Sequence, residues 1–164
     1  MVVRKILLYD NPILRKKCKP VNAVSNEVKK LINDMANTMY ANNGVGLAAN
    51  QIGELLKVIV VDISEERNEL LVFINPKITK KEGSQLGVEA CLSVPKFEGE
   101  VDRSQKIWVK AKNIFFEDLE METDGYLAVA LQHEIDHLSG ILYTDKVPKG
   151  KLKATEDHKS PKDI

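Results

Sequence analysis

Cysteines and long apolar runs are both scarce in this sequence. Two cysteines, Cys18 and Cys91, occur among 164 residues, and two cysteines in a chain of this length do not make a disulfide framework. We therefore expect both side chains to be thiols. The longest apolar runs, such as residues 58–61 and 70–74, fall far short of the roughly 20 residues that span a bilayer. No membrane-spanning segment is expected.

An excess of charge of one sign is also absent. Lys and Arg number 24, and Asp and Glu number 24, so the formal net charge is zero. No overall field then favours nucleic acid or an anionic membrane as a partner. Residues 1–12 include several charged residues and Pro12, and they provide neither the apolar core nor the cleavage site of a secretory signal. The expected location is therefore the cytoplasm.

The apolar residues that are present follow the spacing of helices and strands. Residues 26–42 carry them at helical spacing, after Ser25 as a candidate N-cap and before a stop at Asn43-Gly44. Branched apolar runs at 55–63 and 70–78 predict two paired strands, and an alternating run at 106–112 predicts a third. A second helix is expected to begin after Thr123 or Asp124 and to end at Gly140.

These elements predict an α+β fold within one domain. Small mixed or antiparallel sheets would pack around a central C-terminal helix, with a second helix near the N-terminus. Residues 1–148 are predicted to form the single catalytic domain. Residues 149–164 are polar and have almost no apolar periodicity, so we expect a flexible C-terminal tail.

The second predicted helix contains a metal-binding pattern. Two of the three histidines lie in residues 132–137, with the sequence QHEIDH. Residues four apart share one helical face, so His133 and His137 can coordinate one ion. Glu134 can reach a water at that ion while staying outside the coordination sphere, where a general base belongs. A chance pair of histidines on a solvated face is the weaker interpretation, because this helix is otherwise apolar.

A catalytic ion of this kind needs a third protein ligand and an open position for water. One protease class extends the pattern to a third histidine, but this chain has Tyr143 there. Another class uses a downstream glutamate, for which the candidate is Glu156 in the polar tail. Cys91 is the stronger candidate, because a thiolate is a good ligand for a borderline divalent ion. The competing Cys18 is flanked by three lysines and is expected at the surface, and Cys91 could also be a buried core thiol.

Three segments in chain order resemble the motifs of the peptide deformylase family. They are residues 44–51 (GVGLAANQ), 89–93 (EACLS) and 132–137 (QHEIDH), and residues 10–15 (DNPILR) and 73–76 (FINP) also match. The resemblance implies a metal-dependent hydrolase that removes the formyl group from the N-terminal formyl-methionine of nascent polypeptides and releases formate. It implies that the partners are nascent formyl-methionyl chains, which the protein would meet at the ribosome. We expect the protein to be a monomer.

The resemblance also assigns roles to individual residues. Cys91, His133 and His137 would hold the metal, with a water completing a tetrahedron, and Glu134 would exchange protons with that water. The side-chain amide of Gln51 and the backbone N–H of Leu92 would stabilise the oxyanion. Ferrous iron is the expected ion, and zinc, nickel or cobalt can replace it in purified protein. The implied substrate-binding residues are Val45, Gly46, Ala90, Tyr126, Val129 and Ala130.

Some of these assignments have competing explanations. Core packing explains the apolar substrate-binding residues as well as a pocket for the methionine side chain does. The glycines of residues 44–46 would let the backbone approach a peptide that binds like an added strand. Ala90 stands where the family usually has glycine, and Asn50 where proline is common. If that glycine needs positive φ or close substrate contact, Ala90 would lower activity or change specificity. Glu89 and Arg103 are predicted to form a buried ion pair that braces the Cys91 segment.

Two other functions remain open from the sequence. A metallopeptidase of another His-Glu-x-x-His class would use Tyr143 or Glu156 for the ion. A catalytically weakened relative would bind peptide N-termini without turnover.

Overall fold

Two α-helices and eight strands make up the regular structure of residues 1–155, the part of the chain that the computed structural model describes. The helices are α1 (Asn26–Ala41) and α2 (Gly125–Leu138). Short 3-10 helices span Pro12–Arg15, Ala49–Ile52 and Tyr143–Asp145. The strands are β1 (Gly46–Ala48), β2 (Val58–Val61), β3 (Leu71–Glu82), β4 (Gln85–Cys91), β5 (Val94–Arg103), β6 (Lys106–Lys112), β7 (Asp118–Asp124) and β8 (Lys153–Ala154).

The strands form two antiparallel sheets. The larger sheet has the order β1-β2-β3-β6-β7, and the smaller one has the order β4-β5-β8. The predicted α+β fold class is confirmed, and the three predicted strand segments are found as β2, β3 and β6. No helix among residues 1–155 is both long and apolar enough to cross a membrane.

The larger sheet lies between the two helices. On β2, Val58 and Val60 pack in one apolar cluster with α1, whereas Ile59 and Val61 pack in another with α2. Successive side chains of a strand point to opposite faces, so a strand covered on both sides is apolar throughout. The unbroken run at residues 58–61 therefore reflects helices on both faces of the sheet.

The ends of both helices are set by short local signals. The Ser25 hydroxyl accepts a hydrogen bond from the Val28 N–H at 3.2 Å and caps α1, as predicted. Beyond α2, Gly140 has φ +75°, and a Cβ there would lie 2.5 Å from the carbonyl oxygen of Arg15. The predicted stop at Gly140 is therefore required both by the backbone conformation and by a close approach of the N-terminal segment.

The hairpin of β4 and β5 was not predicted as a pair of strands. Cys91 ends β4 and pairs with Val94 across a tight turn, after an irregularity in register at Glu89. The inner face of the hairpin packs against Leu142 and Tyr143, which follow α2. This packing brings the end of β4 next to the C-terminal half of α2.

The C-terminal segment has more structure than its composition indicates. Lys153 and Ala154 pair with Glu98 and Phe97 of β5, and the flexibility expected of residues 149–164 remains a prediction. Backbone hydrogen bonds to an existing strand do not require an apolar side-chain pattern. Residues 156–164 lie outside the described residues, and the division at residue 148 remains a prediction.

Cys18 is buried, so the expected surface position is wrong. Its side chain is 6% exposed and packs with Ile59 and Leu138, and its N–H donates to the Leu138 carbonyl at 2.9 Å. The segment is extended, and Lys19 forms an isolated bridge with Leu56. Alternate side chains of an extended segment point to opposite sides, so charged neighbours do not prevent the residue between them from pointing inward.

Burial should make the Cys18 thiol unreactive in the folded protein. Removal from water raises the pKa of Cys18 to about 11, against a small opposite effect of Lys57. At pH 8 only about one thousandth of such a thiol is the reactive thiolate. We expect iodoacetamide to leave Cys18 unlabelled in native protein and to label it fully in urea, as measured by peptide mass spectrometry. Equal labelling in both states would contradict this burial.

Candidate metal centre and active site

Three buried side chains from two elements meet at one point. Cys91 lies at the end of β4, and His133 and His137 lie one turn apart on α2. Their ligand atoms all lie within 4.8 Å of one another, and the Cys91 Sγ is 3.4 Å from the His137 Nε2. All three side chains are buried. The structure thus brings together the three residues that the sequence indicated as metal ligands.

The surroundings of the two imidazoles suit metal ligands. The Glu89 carboxylate faces the His133 Nδ1 at 2.8 Å, whereas the buried His133 Nε2 has no hydrogen-bond partner among the described residues. A proton held on Nδ1 leaves the Nε2 lone pair available. Burial, assisted by the charges of Arg103 and Arg15, lowers the pKa of His137 well below its usual value and keeps this ring neutral. A thiol with two imidazoles is a donor set that fits a borderline divalent ion.

A buried ion pair joins β4 and β5 to α2. Arg103 donates from Nε and Nη2 to the two carboxylate oxygens of Glu89, both at 2.9 Å, and from Nη1 to Asp136 at 2.6 Å. Burial alone would raise the pKa of Glu89, but the hydrogen bonds from Arg103 and His133 lower it to about 2. The predicted pair of Glu89 and Arg103 is confirmed, and it also orients His133.

Glu134 occupies a space that a glycine leaves open. It is fully buried, and neither carboxylate oxygen accepts a hydrogen bond from the described residues. A Cβ on Gly46 would lie 2.6 Å from the Glu134 Oε1. Burial, followed by the negative charge of Glu89, raises the pKa of Glu134 well above its usual value, against an opposite effect of Arg103. A carboxylate whose pKa is raised binds a proton more readily than an exposed one, as a general base requires.

The side-chain amide of Gln51 has a fixed orientation. Its Oε1 accepts from the Ala48 N–H at 2.8 Å, so Nε2 must be the end that points into the site. This Nε2 lies 3.1 Å from the Ser93 Oγ and 3.6 Å from the Cys91 Sγ. Leu92 lies between these two residues in the turn from β4 to β5. The amide donor of Gln51 and the turn that contains Leu92 therefore lie together beside Cys91.

Comparisons with known proteins place this geometry in a family. The family model for polypeptide deformylases matches residues 3–153. A peptide deformylase of Caldicellulosiruptor bescii is 50% identical over 147 residues, which cover 90% of this chain and 87% of that relative. Crystal structures of peptide deformylases from Legionella pneumophila and Thermotoga maritima superpose with TM-scores of 0.87 and 0.86, at 43% and 38% identity. They cover 90% of this chain in both cases, and 88% and 99% of the respective relatives.

The chain belongs to the peptide deformylase family. Peptide deformylases are hydrolases that remove the formyl group from the N-terminal formyl-methionine of nascent polypeptides, and this is the activity of the chain. The family uses a metal ion, for which the group of Cys91, His133 and His137 is a possible site.

The two departures from the usual deformylase motifs have different structural consequences. Ala90 is buried and is not among the described residues with positive φ, so the backbone here does not require glycine. Asn50 is buried, and its Nδ2 donates to the His137 carbonyl at 2.7 Å. Proline has no side-chain donor, so this contact between residues 44–51 and α2 depends on the asparagine.

The residues implied for the methionine pocket of a deformylase differ in exposure. The apolar cluster that Ile59 and Val61 of β2 form with α2 also contains Val45, Val129 and Ala130, which are buried. Tyr126 is 44% exposed near the start of this helix. Packing in the core and binding of a methionine side chain both remain consistent with these positions.

Of the competing third ligands, Cys18 is not part of the metal group. The Tyr143 ring stacks on His133 with centroids 5.9 Å apart, and Cys18 lies in the apolar cluster that also contains Val45. Glu156 lies outside the described residues. Among residues 1–155, Cys91 is therefore the side chain that joins the two histidines.

Three polar residues lie in the sequence motifs, but sequence reasoning did not predict their contacts in the site. Ser93 contacts Gln51, Asp136 completes the carboxylate set around Arg103, and Asn50 holds the end of α2. Asp136 carried a signal, because it lies within the QHEIDH segment of α2. Ser93 carried none, since its role depends on a contact with a residue far away in the sequence.

Loss of Arg103 should weaken both the fold and metal binding. Arg103→Met leaves the Glu89 carboxylate buried without its counter-ion, which should lower the free energy of unfolding by about 3–5 kcal/mol. Because His133 is held by Glu89, metal affinity should fall roughly 10- to 100-fold. Urea unfolding and competition with a chelator measure the two effects.

Lys110→Met is the matched control, because Lys110 pairs with Glu120 at the exposed surface of the larger sheet. This variant should behave like the unaltered protein in both assays. Equal effects of the two substitutions would contradict the role assigned to Arg103.

Proposed function

We propose that Cys91, His133 and His137 hold one divalent ion and that Glu134, Gln51 and Leu92 carry out hydrolysis of the formyl group. The observation that carries this proposal is the group of three buried ligand atoms within 4.8 Å. Two further facts support it: the unpartnered His133 Nε2, and the unpartnered Glu134 carboxylate on the same helix. A closed structural site would use four protein ligands and would not need an adjacent buried acid.

The ion supplies Lewis-acid chemistry, which polarises the formyl carbonyl and lowers the pKa of the attacking water. Glu134 accepts one proton from this water at a carboxylate oxygen. It then passes the proton to the amide nitrogen as the C–N bond breaks, so that formate and the free N-terminal amine are released. The raised pKa of Glu134 suits both transfers.

Gln51 and Leu92 stabilise the oxyanion that forms on the formyl oxygen. The Gln51 Oε1 is held by the Ala48 N–H, so Nε2 is a preorganised donor. The Leu92 N–H supplies the second donor from the turn after Cys91. A donor of this kind typically lowers the activation free energy by about 3 kcal/mol.

The peptide binds in an extended conformation along β1. This strand is at the edge of the larger sheet, and an extended peptide can add to such an edge as a further strand. Gly46 brings the backbone of β1 against Glu134, so a peptide on β1 lies next to the reacting groups. The methionine side chain of this peptide then binds between Val45, Tyr126, Val129 and Ala130. Ala90 lies beside its path.

The finer assignments follow from the chemistry of the donor set and the substrate. Ferrous iron is the proposed native ion, because thiolate and imidazole ligands suit it, while zinc, nickel and cobalt fit the same donors. We assign the enzyme to the cytoplasm, as a monomer that meets formyl-methionyl chains at the ribosome.

Substitution of the general base should separate catalysis from metal binding. Glu134→Gln keeps the shape of the side chain but cannot accept a proton, so formate release from a formyl-methionyl tripeptide should fall about 10²- to 10⁴-fold. Metal content should stay at one ion per chain. Glu120→Gln, on the exposed face of β7, is the control and should keep full activity. A Glu134→Gln variant with nearly normal formate release would contradict the assignment.

The metal should depend on how the protein is prepared. Protein purified without oxygen should contain about one iron per chain, and aerobic purification should lower iron content because ferrous iron beside a thiolate is oxidised. Elemental analysis, with Cys91→Ser as the control that loses the ion, measures this. Stoichiometric metal in Cys91→Ser would show that the ligand set is wrong.

A further inference from the structure

We propose that Arg67 is a positioning residue that fixes the peptide-binding turn at residues 44–46. This inference rests on the proposed function, in which these residues bind the substrate backbone. Arg67 lies in the loop between β2 and β3, far from the metal ligands in sequence, and neither the motifs nor the resemblance assigned it a role.

The guanidinium of Arg67 contacts backbone rather than carboxylates. Nη2 donates to the Gly44 carbonyl, and Nη1 donates to the Asp62 carbonyl. The same group lies over the ring of Tyr40, at 5.1 Å from its centroid. Arg67 forms no ion pair within residues 1–155. Both terminal nitrogens of the guanidinium therefore donate to main-chain carbonyls.

The loop that presents Arg67 is folded around the buried carboxylate of Asp62. Asp62 accepts hydrogen bonds from the Tyr40 hydroxyl at 2.6 Å, from the Ser64 N–H at 2.9 Å and hydroxyl at 2.6 Å, and from the Glu69 N–H at 3.2 Å. Arg67 itself has φ 57°, a conformation that costs free energy in a residue with a side chain and needs support from its surroundings. The loop thus holds a strained residue where its side chain reaches Gly44.

Two consecutive peptide groups of the turn are held from the same side. Arg67 binds the Gly44 carbonyl, and the Asp62 N–H donates to the Val45 carbonyl at 2.8 Å. Because a peptide unit is planar, a fixed carbonyl also fixes the direction of the N–H that follows it. Both contacts come from the chain just after β2, whereas β1 lies at the edge of the larger sheet, where a peptide can be added.

The position of this turn matters for the reaction because Gly46 lies against Glu134. A small displacement of residues 44–46 would move the peptide-binding edge relative to the buried acid, while leaving Cys91, His133 and His137 in place. Loss of Arg67 should therefore weaken substrate binding much more than it affects metal binding.

The test compares Arg67→Met and Arg67→Lys with Lys80→Met. The Lys80 ammonium group also lies over an aromatic ring, that of Trp108, but on the exposed surface of the larger sheet. Lys80→Met is therefore the control for the loss of a cation–π contact. For metal-loaded protein, KM and kcat are measured with a formyl-methionyl tripeptide. In parallel, hydrogen exchange of the Val45 and Gly46 amides is measured in the metal-free protein.

Arg67→Met should raise KM by about tenfold, with kcat within about threefold and with unchanged metal content. Arg67→Lys, which has a single donor group, should give a smaller increase in KM. In both variants the two amides should exchange faster than in Lys80→Met. If Arg67→Met does not fold, Arg67→Lys carries the same test.

Unchanged KM and unchanged exchange in folded Arg67→Met would overturn the proposal, as would equal losses of kcat and metal content. A failure of the proposed function would look different. The unaltered protein would then release no formate, whereas failure of this inference alone leaves formate release intact in every variant.

Discussion

The contact between Arg103 and Glu89 is the constraint on which the rest of the site depends. It lies within the hairpin that carries Cys91. The contacts of Arg103 with Asp136 and of Glu89 with His133 then join this hairpin to the helix that carries both histidines. Charges buried in this way are expensive to leave unpaired, so the two elements are held together strongly. Glu89 also orients His133. One buried charge cluster thus sets both the distance between the elements and the direction of a ligand nitrogen.

The larger sheet provides the other half of the site. Because helices cover both of its faces, β1 and β2 are fixed within the core. Among residues 1–155, no strand pairs with the second edge of β1. Gly46 lets this strand approach Glu134, and Asn50 links the following segment to the end of α2. The geometry of the reacting groups is therefore supported by main-chain contacts from both directions.

The sequence predicted the parts of the fold that rest on local patterns. The cap at Ser25, the stop at Gly140 and the alternation of β6 all depend on neighbouring residues, and each is present in the structure. The acidic strand β7 and the β4–β5 hairpin were missed because their stability comes from pairing with the neighbouring strand rather than from a run of apolar residues. Cys18 was placed wrongly for a related reason, since its charged neighbours describe only one side of an extended segment. Within the site, spacing indicated the histidines, but contacts such as that of Gln51 with Ser93 depend on tertiary structure.

The central claim is that one thiolate and two imidazoles bind the same ion. X-ray absorption spectroscopy of the metal-loaded protein tests it most directly, because sulfur and nitrogen neighbours of the metal are distinguishable. The account predicts one sulfur and two imidazole ligands, with the sulfur contribution lost in Cys91→Ser. A metal environment without sulfur in the unaltered protein would contradict it.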